Sequence, residues 1–220
     1  MPHHLKIDYV SDVACPWCII GLRGLEEALK RTAGTVDADI HFQPFELNPD
    51  MPPEGQNIVE HIAQKYGSTP EQSAATRDMI RSRAAGVGFA YNVSENNRIY
   101  NTFDAHRLLH WAKASGRQRD LKLALFTAYF TDGKNVSDPE VLLAAVAEAG
   151  LDPDEARDVL ASGRYADEVR EAERLWLSRG IRSVPGIVVN EKWLISGGQP
   201  PEAFEQALRS IATELDKAAS

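Results

Sequence analysis

Cysteine is almost missing from this chain, with only Cys15 and Cys18 among 220 residues. A structural zinc site needs four ligands; no further cysteine is there to supply them, and His41 stands alone at the nearest plausible distance, so no metal is expected. Positive charge is also in deficit: 24 Lys and Arg stand against 32 Asp and Glu, a formal net charge of −8. With no polybasic cluster, a nucleic-acid partner gripped through its phosphates is excluded. No apolar run is long enough to span a bilayer. The opening residues Met1-Pro2-His3-His4-Leu5-Lys6 pass straight into a strand pattern, without the basic region and apolar core of a secretory signal. These absences lead us to expect a cytoplasmic address. In that reducing compartment a lone Cys-x-x-Cys is more often catalytic than structural. What is plentiful is apolar residue, at 43% enough for a sizeable core.

The two cysteines sit in Val13-Ala14-Cys15-Pro16-Trp17-Cys18, between an apolar run with strand character and a periodic run with helical character. Pro16 suits the first turn of a helix. A thiolate at a helix N-terminus is stabilised by unpaired backbone N–H groups and a partial positive charge. Cys15 is therefore the candidate nucleophile. Cys18, one turn further in, is the candidate resolving thiol that opens the mixed disulfide formed by Cys15. Neither Pro16 nor Trp17 adds a charge, so helix and backbone must do most of the acidifying.

Leu5 to Val10 alternates as a strand, and Ser11-Asp12 turns the chain toward the cysteines. Leu22, Leu25 and Leu29 then recur at helical spacing, with Gly21 and Gly24 leaving a flat face suited to close packing on a sheet. A second strand is expected over 39–45, followed by an irregular linker from Asn48 to Gly55. From there to about Gly180 the pattern is helical, except for an extended piece over 89–97. Thr69-Pro70-Glu71, Asp138-Pro139-Glu140 and Asp152-Pro153-Asp154 each mark a helix start. The run from Leu121 to Phe130 is apolar nearly all round, as expected of a central helix. Sheet character returns at Val184-Pro185-Gly186-Ile187-Val188-Val189, with a hairpin turn at Asn190-Glu191-Lys192 and a return strand at Trp193-Leu194-Ile195. A final helix carries Phe204, Leu208, Ile211 and Leu215 on one stripe.

Other residues carry weaker signals. His106 and His110 have i, i+4 spacing but no third ligand. Trp111, Trp176 and Trp193 suit core or interface positions. Glu46 and Asn48 lie where the chain leaves the second strand, at a cleft border or simply in a turn. The charges between Asp152 and Arg182 read as a solvated helix face.

The order strand, Cys-Pro-Trp-Cys helix, strand, helical insertion, Val-Pro, hairpin and terminal helix resembles the DsbA-type thioredoxin-like oxidoreductases, with the FrnE-like subfamily nearest. The matching segments include Asp12 to Cys18, Pro44-Phe45-Glu46-Leu47-Asn48-Pro49, Asn101 to His110, Leu125 to Phe130, and Val184 to Pro201, nearly the whole chain. The resemblance implies an α/β, thioredoxin-like fold over 1–48 and 181–220, with a large all-helical insertion over 49–180. It further implies catalysis by Cys15 and Cys18, with Pro16, Trp17, Val184 and a cis Pro185 at the substrate. The expected activity is that of a thiol-disulfide oxidoreductase of protein disulfide reductase or isomerase type. Protein thiols or glutathione are the expected partners, with no bound cofactor, and a homodimer stays open. Two departures stand out: Gly186 replaces a frequent aromatic, and Trp17 stands where the better-known DsbA enzymes have histidine. The alternative is a glutathione-dependent isomerase or transferase resembling 2-hydroxychromene-2-carboxylate isomerase and the kappa-class glutathione transferases. Those relatives carry serine at the position of Cys15, so the intact dithiol argues against it. A non-catalytic binding role is the least expected.

Overall fold

The computed structural model describes residues 2–219; Met1 and Ser220, the outermost residues of the expected thioredoxin-like segments, lie outside them. A first strand, β1 (His3–Ser11), runs into helix α1 (Pro16–Arg31) and a parallel strand β2 (Val36–Pro44). The chain returns to this sheet only near its end, with β5 (Gly186–Val189), β6 (Trp193–Ser196) and helix α9 (Pro201–Ala219). The sheet order is β2-β1-β5-β6, with β5 antiparallel to both of its neighbours. The β5–β6 turn works because Asn190 and Glu191 both take positive φ, 48° and 58°, as a tight primed hairpin turn requires. Asn190 Oδ1 also accepts from the Lys6 amide at 2.8 Å, tying that turn to β1.

Between the two parts of the sheet lie a two-residue ladder, β3 (Gln56–Asn57) with β4 (Arg98–Ile99), and a run of helices. These are α2 (Ile58–Tyr66), α3 (Pro70–Gly86), α4 (Phe103–Ala112), α5 (Gln118–Phe126), α6 (Pro139–Glu148), α7 (Pro153–Ser162) and α8 (Ala166–Ser178). The anticipated start signals are real caps. Thr69 and Gln72 form a reciprocal capping box, while Asp138 and Asp152 accept from Glu140 N and Asp154 N. No helix among the described residues is long and apolar enough to cross a membrane. One sheet completed from both ends of the chain, with an insertion that is helical apart from the β3–β4 ladder, is the expected thioredoxin-like arrangement.

One apolar cluster runs unbroken from Leu5, Ile7 and Tyr9 of β1 through α1 into Leu108, Leu125 and Phe126 of the insertion. A smaller one, Val10, Phe45, Trp176, Ile181 and Val188, covers the other sheet face. There α8 lies over the end of β1 nearest the cysteines. Each fully buried Leu or Phe contributes about 1.5–3 kcal/mol, so the larger cluster holds the sheet and insertion together. Gly21 and Gly24 do allow close approach, but to more than the sheet. A Cβ on Gly21 would lie 2.9 Å from Tyr9 Oη and 3.0 Å from Gly198 Cα, and one on Gly24 would lie 2.8 Å from the Gln199 carbonyl.

Two expectations gain detail. The extended piece over 89–97 joins no sheet. Its backbone bonds go to helix ends and turns, with Phe89 N donating to Ala84 O, Asn92 N to Phe130 O, and Ser94 N to Asn97 Oδ1. The segment from Leu121 to Phe130 is central and buried, yet it is not uniform. Lys122 is among its fully buried residues, and α5 loosens into a π-helical turn over Thr127–Thr131.

Candidate active site

Local sequence sets the position of the thiols. Ser11 ends β1, Asp12 to Ala14 turn, and Cys15 is the N-cap of α1 in extended conformation with Pro16 at the first helical position. Cys15 N donates to Asp12 O at 3.2 Å and Cys18 N to Cys15 O at 3.0 Å, so the turn and the first helical bond fix both residues. Both thiols are free; Cys15 retains 4% of its surface and Cys18 none. The Cys15 thiol donates to the carbonyl of Val184 at 3.6 Å. The Val184–Pro185 peptide is cis. Chain ends 169 residues apart thus meet at one sulfur.

Cys15, Pro16, Trp17 and Val184 line one cavity of about 360 Å³, within the size range of ligand pockets. Asn48 lines it too, while Glu46 does not. The far wall comes from the insertion, through Ile58 and Ile62 of α2, Ile80 of α3, and Tyr91, Tyr129 and Phe130. Pro185 is buried and lies outside the lining. A Cβ on Gly21 would come within 3.2 Å of its ring, so it packs against the second turn of α1 and holds Val184 in place from behind.

Behind Cys18 the protein is polar and buried. Burial, and then the neighbouring Cys15, push the Cys18 thiol well up. The Asp12 carboxylate is also buried. Burial alone would raise its pKa, but His106, the Leu47 amide and Lys122 outweigh that and hold it below the ordinary value. Leu47 N donates to its Oδ2 at 2.7 Å, and His106 Nε2 stands 3.4 Å from Oδ1 without a well-aligned hydrogen bond. The Lys122 ammonium is pushed down to about 8 by burial, against the pull of Cys18, Asp12 and Cys15 toward its charged form. Lys122 and His106 line a second cavity of about 190 Å³ with His110, Lys113 and Gln118. Tyr9 donates to the Cys18 carbonyl at 2.7 Å.

The two histidines do different things: His106 faces Asp12, and His110 stacks on Tyr165 with centroids 5.1 Å apart. Among the described residues, no group of three or more His, Cys, Asp or Glu is placed to hold a metal. Trp176 is core, while Trp193 donates to Glu214 at 3.0 Å. The reading of 152–182 as wholly solvated is overturned by Arg170 and Glu173. Arg170 bonds both Glu46 and Glu173 and lies 3.8 Å over the Phe103 ring, joining α8 to the end of β2. Burial, and then the Glu173 charge, push the Glu46 carboxyl up to about 7, with Arg170 offsetting part of the rise.

Sequence reasoning located both thiols but missed Asp12, Lys122 and Arg77. Lys122 left a visible signal, a single cation between Leu121 and Leu123 in an apolar helix. Arg77 left none, because α3 is rich in charge on every side.

The family described as DSBA-like thioredoxin domain matches residues 6–209. The probable DsbA oxidoreductase SCO1869 from Streptomyces coelicolor superimposes with a TM-score of 0.89 at 38% identity, over 94% of this chain and 89% of that one. The Bacillus subtilis (strain 168) protein YwbO is 27% identical over 210 residues, 94% of this chain and 96% of its own length. The cytosolic disulfide reductase DsbM from Pseudomonas aeruginosa, solved with GSH, shares the fold with a TM-score of 0.60 at 18% identity, over 93% and 98% of the two chains.

Proposed function

This chain belongs to the DSBA-like thioredoxin family, and from that premise we propose that it is a thiol-disulfide oxidoreductase of the protein disulfide reductase or isomerase type. The supporting observation is the division of the dithiol: Cys15 stands at the cleft with its sulfur 3.6 Å from the Val184 carbonyl, and Cys18 lies sealed behind it.

Cys15, at the N-terminus of α1, attacks one sulfur of a substrate disulfide; the S–S bond breaks and the first substrate thiolate leaves. The mixed disulfide lies along Val184, whose backbone can pair with an extended substrate segment like an added strand. Pro16 and Trp17 flank the same sulfur. Cys18 then gives up its proton toward the buried Lys122 amine and attacks Cys15 Sγ, expelling the second thiolate. Two electrons pass from the protein dithiol to the substrate, and the reverse sequence oxidises a substrate dithiol. In a reducing, cytoplasmic setting the net direction is reduction, with glutathione or another thiol regenerating the dithiol.

A glutathione-dependent isomerase or transferase has no use for Cys18, so a pair of variants separates the readings. Insulin reduction by dithiothreitol or glutathione should be accelerated by the wild-type protein and lost in Cys15→Ser. Cys18→Ser should accumulate a mixed disulfide. Equal inactivity of all three, together with glutathione binding, would transfer the assignment to small-molecule chemistry.

A further inference from the structure

The lining of the cleft carries a charge that no carboxylate among the described residues neutralises. Helix α3 buries one stripe, Ser73, Arg77, Ile80 and Ala84, and in its middle a core helix would carry an apolar residue. Arg77 stands there instead, 8% exposed and lining the cavity that contains Cys15. Its one hydrogen bond runs from Nη1 to Ser73 Oγ at 2.9 Å, one of five donors used, and no described carboxylate pairs with it. Arginine is rarely buried so fully without an acidic partner. The same cavity is lined by Lys65, whose ammonium is held by two neutral oxygens, Leu47 O at 2.8 Å and Asn48 Oδ1 at 2.7 Å. No aspartate or glutamate lines it, although the chain as a whole carries a net charge of −8. The rest of the lining is largely apolar and aromatic.

We infer that the cleft is built for a disulfide whose neighbouring group has an apolar body and a carboxylate, the carboxylate seated on Arg77 while Cys15 attacks the sulfur. The inference rests on the oxidoreductase reading and adds a substrate class to it. A guanidinium fork pairs with a planar carboxylate through two parallel bonds, which fixes orientation as well as affinity. The missing acids matter equally. A substrate with a free ammonium group finds no counter-charge in this lining, which disfavours lysine-rich segments. The stoichiometry is that of the dithiol: one protein dithiol and one R–S–S–R give one protein disulfide and two R–SH, with a proton delivered to each leaving thiolate.

The test uses the reduced protein in single turnover with two aromatic disulfides, dithiobis(nitrobenzoate), which carries a carboxylate on each ring, and the uncharged dithiodipyridine. Arg77→Gln should slow the first about ten- to hundredfold, the worth of a charge-assisted hydrogen bond, and leave the second within about twofold. Equal loss on both, or loss on neither, overturns the anion site. Should Arg77→Gln not fold, the wild-type protein decides. Nitrobenzoate should compete with the carboxylated disulfide and nitrobenzamide should not; equal inhibition, or none by either, again overturns the site. If the wild-type dithiol reacts with neither disulfide faster than dithiothreitol does, the oxidoreductase reading itself falls. That result is distinct from reduction that ignores charge.

Discussion

The two sides of the Cys-Pro-Trp-Cys turn are opposite environments. In front of Cys15 is a cavity lined by aliphatic and aromatic side chains with Arg77 and Lys65 as its cations. Behind Cys18 is a sealed polar layer of Asp12, Lys122 and His106. Two identical thiols one helical turn apart are thereby made unequal. Only Cys15 borders the cavity, and burial raises the Cys18 thiol so that its protonated form is favoured. Burial and charge around the turn, rather than the four residues themselves, divide the labour.

The largest break in this comparison should come from removing Lys122, whose lowered pKa of about 8 makes available the neutral amine that can accept the Cys18 proton. Lys122→Met should slow resolution of the mixed disulfide about a hundredfold, the scale of a lost proton acceptor, and leave attack by Cys15 nearly unchanged; rapid quench separates the two steps. The same variant sharpens the stability argument. Lys122 has a folded pKa of about 8, against 10.5 unperturbed, so between those values the unfolded chain holds the extra proton and stability rises with pH. That rise is worth about 3 kcal/mol. The raised Cys18 thiol works the other way over the alkaline range. The wild-type minus variant difference in urea unfolding between pH 8 and pH 10 should therefore carry the lysine contribution.

A second variant tests whether the polar region under α8 is separate from the site. The Glu46 carboxyl is raised to about 7 from 4.5, so the fold favours its protonated form. That contribution is fully present below the unfolded value and is lost as pH rises through the folded one. It amounts to at most about 3 kcal/mol. Glu46→Gln should flatten the fall in thermal stability between pH 4.5 and pH 8 without altering reductase activity, since Glu46 is outside the cleft. A matching loss of activity would join the two regions.

The smallest effect is expected at Gly21, where front and back meet. Gly21→Ala would press a methyl against Tyr9 Oη at 2.9 Å and the Pro185 ring at 3.2 Å. It should destabilise the protein by about 1–3 kcal/mol, read by denaturant titration. Activity should fall further if Pro185 yields and carries Val184 away from Cys15.

What the sequence determined by itself is local. The strand before the cysteines, Pro16 opening a helix, the Thr69, Asp138 and Asp152 caps, and the Asn190 hairpin follow from steric and capping preferences of a few adjacent residues. They could be read without neighbours. That the extended segment over 89–97 joins no sheet was not legible, because its amides find Ala84 O, Phe130 O and Asn97 Oδ1 instead of a neighbouring strand. The meaning of a charge is likewise not local. Arg77 and Arg170 look like ordinary surface cations in the sequence, and Lys122 shows only as a cation out of place between Leu121 and Leu123. Only the packing of α5, α3 and α8 decided that Lys122 lies behind Cys18, that Arg77 lines the cavity bordered by Cys15, and that Arg170 joins a helix to the end of a strand. The energy of a charge depends on the dielectric and partners that distant segments bring to it.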